Sequence, residues 1–196
     1  MPSENWRRAA GFMPLVGLPI LGTDHPRPND PIITTMSWCC CGEDLGSLSP
    51  SFSSNTYPAA NRALAVPFEI AFPFLVRKVF WFNGTTATTD SIDVGVYTEA
   101  GTRLVSGGGT AVSGASATQE VDVTDTLLKP GRYWLAYVQN GVTATPIMSA
   151  TTAANARALG AAQMASAYVL PATFTPAAIA AANLPLCGIA SRTLAS

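Results

Sequence analysis

From Leu64 onward, apolar and polar residues alternate with a period of two, the spacing that sends successive side chains to opposite faces of a β-strand. The run 64-LAVPFEIAFPF-74 has strand composition, but Pro67 and Pro73 lack the N–H a central strand needs and confine it to an edge or to strand ends. The run 75-LVRKVFWFNG-84 is apolar on both faces and stops at Asn83-Gly84. The clearest unit is 91-SIDVGVYTEAGTRLVS-106, where Ile92, Val94 and Val96 alternate with Asp93, Gly95 and Tyr97. Glu99-Ala100-Gly101 turns this chain, and Gly101 suits a positive φ, so Tyr97 to Leu104 reads as a hairpin.

The segment 106-SGGGTAVSGASAT-118 reads as a loop and 119-QEVDVT-124 as a short strand. Lys129-Pro130-Gly131 has the chemistry of a type II turn and launches 132-RYWLAYVQN-140, which is apolar on both faces and therefore central or covered. Short strands every 8 to 12 residues or so, with turn signals between them and no amphipathic helix, predict an all-β, antiparallel, jelly-roll-like β-sandwich. Its core includes Ile92, Val94, Val96 and Leu135. The sandwich is expected over residues 61–147, between an extended arm (1–60) and an alanine-rich tail (148–196) packed on the sandwich or a neighbour. In the tail, Ala153 to Ala167 is weakened as a helix by Gly160. Thr175-Pro176 is the stronger start signal, for a short helix ending near Asn183, with irregular structure around it.

The arm is punctuated by seven prolines, from Pro14 to Pro58, and by the polar linker 47-SLSPSFSSN-55. Its apolar beads, Phe12, Leu15, Leu18, Ile20 and Trp38, need a groove, on this domain or on another subunit; docking on a partner is the expectation. The run from Phe12 to Leu21 is too short and too proline-broken to span a bilayer, and it lacks an A-x-A cleavage signal. An unprocessed chain made in the cytoplasm, without signal peptide or membrane span, is expected.

Composition sharpens this picture. Charged residues are only 12% of the chain, two of them lysines, and the formal net charge is -1. That leaves no field to attract nucleic acid. Thirty-one alanines and 21 threonines make the bulk small and neutral, a surface better suited to being covered by neighbours than to standing alone. Apolar strand faces such as 79-VFWF-82 point the same way, to a homotrimer or repeated array.

Candidate chemistry is sparse. The single histidine, His25, lies in the proline-rich stretch 23-TDHPRPND-30, and Gly107-Gly108-Gly109 is not a phosphate-binding loop. Asp90, Asp93, Glu99, Asp122 and Asp125 sit at strand ends and turns, where carboxylates serve local hydrogen bonds; a calcium site from Asp90, Asp93 or Asp122 lacks its loop signature. Cys39, Cys40 and Cys41 lack the spacers of a zinc site; they and Cys187 read as packed apolar residues, with a disulfide from the triplet to Cys187 as the alternative. No catalytic residue, metal or cofactor is expected. Trp81, Tyr97, Tyr133, Trp134 and Tyr137 lie on strands and read first as core, second as a platform on which sugar rings could stack.

Two segments carry a resemblance, 92-IDVGVYTEAGTRLVSGGG-109 and 127-LLKPGRYWLAYV-138. They resemble the small jelly-roll or carbohydrate-binding-like β-sandwiches of tailed-phage virion proteins, where a V-G-[IV]-Y-x-x-x-G hairpin and an L-x-P-G-x-Y-[WY]-L-A strand recur. The likeness is close over a quarter of the chain and loose over residues 62–147, and it carries over no catalytic residue. It implies a non-enzymatic virion protein of the head-decoration or tail-fibre type, tethered by its arm to other virion proteins. A glycan-binding module for host attachment is the alternative, and a glycosidase a distant third.

Overall fold

A computed structural model describes residues 32–34, 52–158, 160–165 and 167–192. Its described residues form fourteen strands and one helix. The strands are β1 (Ile32–Thr34), β2 (Phe52–Ser54), β3 (Ala63–Ile70), β4 (Phe74–Phe82), β5 (Ser91–Thr98), β6 (Arg103–Ser106) and β7 (Thr110–Ala111). After them come β8 (Thr118–Leu128), β9 (Gly131–Gln139), β10 (Ile147–Ala150), α1 (Ala153–Ala158), β11 (Ala162–Met164), β12 (Ala177–Ala178), β13 (Asn183–Pro185) and β14 (Cys187–Ala190). The strands build a four-stranded sheet β1-β14-β4-β8, a three-stranded sheet β13-β10-β2, and a seven-stranded sheet β12-β11-β3-β9-β5-β6 with β7 also on β5. Every pairing is antiparallel, and the all-β class read from the sequence holds.

Alternation decides which side chain goes where. On β3, β5 and β9, Leu64, Val66, Val94, Val96, Leu135 and Tyr137 share one face and enter the main core cluster. From the four-stranded sheet, Val76, Val79, Trp81, Cys187 and Ile189 join the same cluster. Burying one such side chain contributes about 1.5–3 kcal/mol. The opposite face of the seven-stranded sheet carries Ala63, Ala65, Tyr97, Ala136 and Val138. A second cluster forms there because Ala162, Ala167, Leu170 and Phe174 lie across it.

Pro67 sits inside β3, yet the edge rule survives. β11 pairs with β3 only from Ala63 to Ala65, so beyond that point one side of β3 meets no strand among the described residues. Pro73 lies just before β4.

Four expectations are corrected. Residues 110–111, read as loop, form β7 on β5, and the strand begun at Gln119 runs on to Leu128. The tail is not irregular: β11, β12, β13 and β14 join all three sheets, and β14 lies between β1 and β4. The short helix lies at Ala153–Ala158, where Thr152 caps it by accepting from the Asn155 N–H (3.1 Å), while Ala177–Ala178 pairs with β11 instead. A cap signal at Thr175 cannot hold a helix once its first turn is recruited into a sheet.

Of the run 79-VFWF-82, Val79, Phe80 and Trp81 are buried within this one chain and Phe82 is half-buried. No helix among the described residues is long and apolar enough to cross a membrane.

Candidate functional site

The arm residues Phe12, Leu15, Leu18, Ile20 and Trp38, together with Cys39, Cys40 and Cys41, lie outside the described residues. Cys187 is buried on β14. The five aromatics of the sugar platform separate. Trp81, Tyr97 and Tyr137 are at most 1% exposed and present no face for stacking. Tyr133 and Trp134 are half-buried but leave opposite faces of β9: Tyr133 packs on Phe68 (ring centroids 5.7 Å apart) and Trp134 on Phe174 (5.7 Å). Of the five, Tyr133 and Trp134 border a surface pocket, and of these two Trp134 belongs to the second face of the sheet.

That pocket, of about 150 Å³, is lined by Pro67, Glu99, Arg132, Tyr133, Trp134 and Gly160. Register builds it. Trp134 lies opposite Pro67 on β3 and opposite Tyr97 on β5, so the three form one cross-strand row. Arg132, two residues earlier, projects from the same face and lies opposite Glu69. Glu99 follows β5 in the hairpin turn and meets Arg132, with Nη1 donating to Oε1 at 3.3 Å. Both side chains are nearly two-thirds exposed, so this pair is worth little to stability. The Trp134 indole N–H donates to the Glu99 carbonyl oxygen at 3.3 Å and fixes the ring. Arg132 and Glu99 were not legible as a pair, although the i, i+2 spacing of Arg132 and Trp134 could have placed them on one face.

The remaining carboxylates hold loops and strands together. Asp90 Oδ2 accepts from the Thr143 N–H (2.8 Å), the Ala144 N–H (2.7 Å) and Gln139 Nε2 (3.0 Å). Asp122 accepts from Lys78 at 2.5 Å and Asp125 from Arg77 at 3.2 Å, on the walls of an open cleft that also includes Ser191 and Arg192. Hydrogen bonds from Lys78 to Asp122 and to Glu120 hold its ammonium above the usual lysine value. Among the described residues, no group of three or more His, Cys, Asp or Glu side chains is placed to hold a metal ion.

Asp93 is the exception in burial. It is 0% exposed, on the second face of β5. Its Oδ2 accepts from Ser106 Oγ (2.7 Å) and from the Leu170 N–H (3.1 Å), whereas Oδ1 meets no hydrogen-bond partner among the described residues. The nearby Gly108 N–H donates to Ser106 Oγ instead (3.2 Å). Burial pushes the Asp93 carboxyl above the usual carboxylate range, against the opposing pull of Ser106, the Leu170 and Gly108 amides and Arg103.

No family model matches the chain, and no curated protein shows significant similarity to it.

Proposed function

We propose that the chain is a non-enzymatic structural protein of a phage virion: a jelly-roll-like β-sandwich displayed on the capsid or tail and tethered through its N-terminal arm. Its partners on this reading are other virion proteins and copies of itself. The observation that carries the proposal is how the fold uses its buried polar side chains. Asn83 donates to the Ser113 and Gly114 carbonyls, and Gln139 to the Ala144 carbonyl. Asp93 accepts from Leu170, and Ser149 donates to Leu184. Each pins a loop or a distant segment to a strand, an arrangement suited to a rigid displayed body. A main cluster fed by both large sheets supports the sandwich form.

The N-terminal chain supplies the second support. β1 adds to β14, and β2 adds to β10, through three residues each. Strand addition at a sheet edge draws on main-chain hydrogen bonds that any extended segment can make, and prolines hold such a segment extended in advance. The same mode serves an arm that reaches a neighbouring subunit.

Deleting residues 1–30, which leaves β1 in place, tests the tether. The expected variant has the thermal midpoint of the full chain and is absent from purified particles. Incorporation at the normal level would overturn the tether. So would unfolding of the variant, because the arm would then belong to its own core.

A further inference from the structure

We propose that the pocket beside Trp134 is a binding subsite for one uncharged pyranose ring of a glycan. This inference does not depend on where the protein resides. It rests on three features of the second sheet face, near the start of β9.

The first is an apolar floor with fixed orientation. Pro67 and Trp134 are cross-strand neighbours, Phe174 packs on the indole at 5.7 Å, and the indole N–H is occupied by the Glu99 carbonyl. A ring held from these sides needs no reordering to receive the C–H face of a sugar. The floor rests on two strands, which position a side chain better than a loop does.

The second is the rim. The Arg132 guanidinium and Glu99 carboxylate, 3.3 Å apart and largely exposed, set donors beside acceptors at the pocket mouth. Neighbouring sugar hydroxyls each donate and accept, so such a pair can serve both roles without desolvating a lone charge. The pair is neutral in sum, and Glu69, exposed on β3 opposite Arg132, adds a negative charge on the same face. This balance disfavours uronic and sialic acids and leaves uncharged hexoses as the fitting class.

The third is size. A space of about 150 Å³ accommodates a single hexose ring and leaves a longer glycan to extend into solvent. Gly160 borders it with φ 85°, and a Cβ there would come 3.2 Å from Pro67 Cγ, so the glycine lets the loop close against the floor. A one-ring site of this kind binds weakly, with Kd on the order of 1 mM.

The test uses the full chain and ligand-observed NMR with the methyl glycosides of glucose, galactose, mannose and glucuronic acid as probes. At least one neutral glycoside should show saturation transfer, and its affinity should exceed that of the glucuronide. Arg132→Ala and Glu99→Gln alter only exposed side chains; each should weaken binding about tenfold at an unchanged thermal midpoint. Trp134→Phe should weaken it further, with circular dichroism confirming the fold. The proposal is overturned if no neutral glycoside binds at tens of millimolar. It is equally overturned if binding is indifferent to Arg132→Ala and Glu99→Gln, or if the glucuronide binds best.

Discussion

The Asp93 carboxylate accepts a hydrogen bond from the backbone N–H of Leu170, 3.1 Å away across 77 positions of sequence. Around that contact a segment of the tail is fastened across the second face of the seven-stranded sheet. The Arg103 N–H donates to the Ala172 carbonyl (2.9 Å), the Phe174 N–H to that of Gly101 (2.7 Å), and the Tyr97 hydroxyl to that of Pro171 (2.8 Å). The Arg103 guanidinium donates to the Leu170 carbonyl. Leu170 and Phe174 thereby cover Tyr97, Ala136 and Val138. The tail is thus structural.

Replacing Asp93 with alanine strands the Ser106 hydroxyl and the Leu170 N–H in a buried site. The expected cost is about 1–3 kcal/mol, read from the midpoint of urea unfolding. Asp93→Asn keeps an acceptor for both donors and should cost less than Asp93→Ala.

The same residue gives a pH signature. The folded-state value of Asp93 is raised, chiefly by burial, above an unfolded value of about 3.9, so the folded state binds the extra proton in the window between them. Its favourable contribution is complete below the unfolded value and is lost as pH rises through the folded one. Among the described residues, Arg103 and the Tyr97 hydroxyl are the titratable groups that act on it, and the Tyr97 phenol is pushed up by burial and stays protonated throughout. Acidifying from pH 7 toward pH 4 should therefore improve the wild type relative to Asp93→Asn in urea unfolding. A gap that stays constant, or moves the other way, contradicts this account of the carboxylate.

Gly101 should not tolerate a side chain. It turns the β5–β6 hairpin at φ 86°, and an added Cβ would run into the Phe174 carbonyl oxygen. Gly101→Ala is expected to cost about 1–3 kcal/mol from the backbone conformation alone, with a lowered thermal midpoint.

Val96 is fully buried opposite Leu135 in the main cluster. Val96→Ala should cost about 1–3 kcal/mol, through lost burial plus a small cavity. The exposed Arg77–Asp125 pair is the contrast: Arg77→Ala should change stability by no more than about 0.5 kcal/mol, because solvent screens both charges.

What the sequence made legible was the structure set by local alternation. β5 follows from apolar residues every second position, β4 and β9 from short runs apolar on both faces, and Gly101 marks the turn between β5 and β6. β8 was underestimated because Thr124-Asp125-Thr126 breaks the apolar alternation before Leu127 and Leu128; β4 beside it holds that half as strand. The tail strands were not legible. Cys187-Gly188-Ile189-Ala190 has no strand signature of its own, and it becomes one because β4 pairs with it from about a hundred positions earlier. The pocket was half legible: Trp134 stood out as an aromatic, but only the register of β9 against β3 and β5 brings Pro67, Arg132 and Glu99 around it.

The virion assignment is tested most directly by counting this chain in density-gradient-purified phage particles, by quantitative mass spectrometry against the major capsid protein. The account predicts a fixed number of copies per particle that survives washing in salt, because an arm docked as proposed would be held by apolar contacts and main-chain hydrogen bonds rather than by charge. Finding the chain only in the soluble fraction of the lysate, with none in the particles, would contradict it.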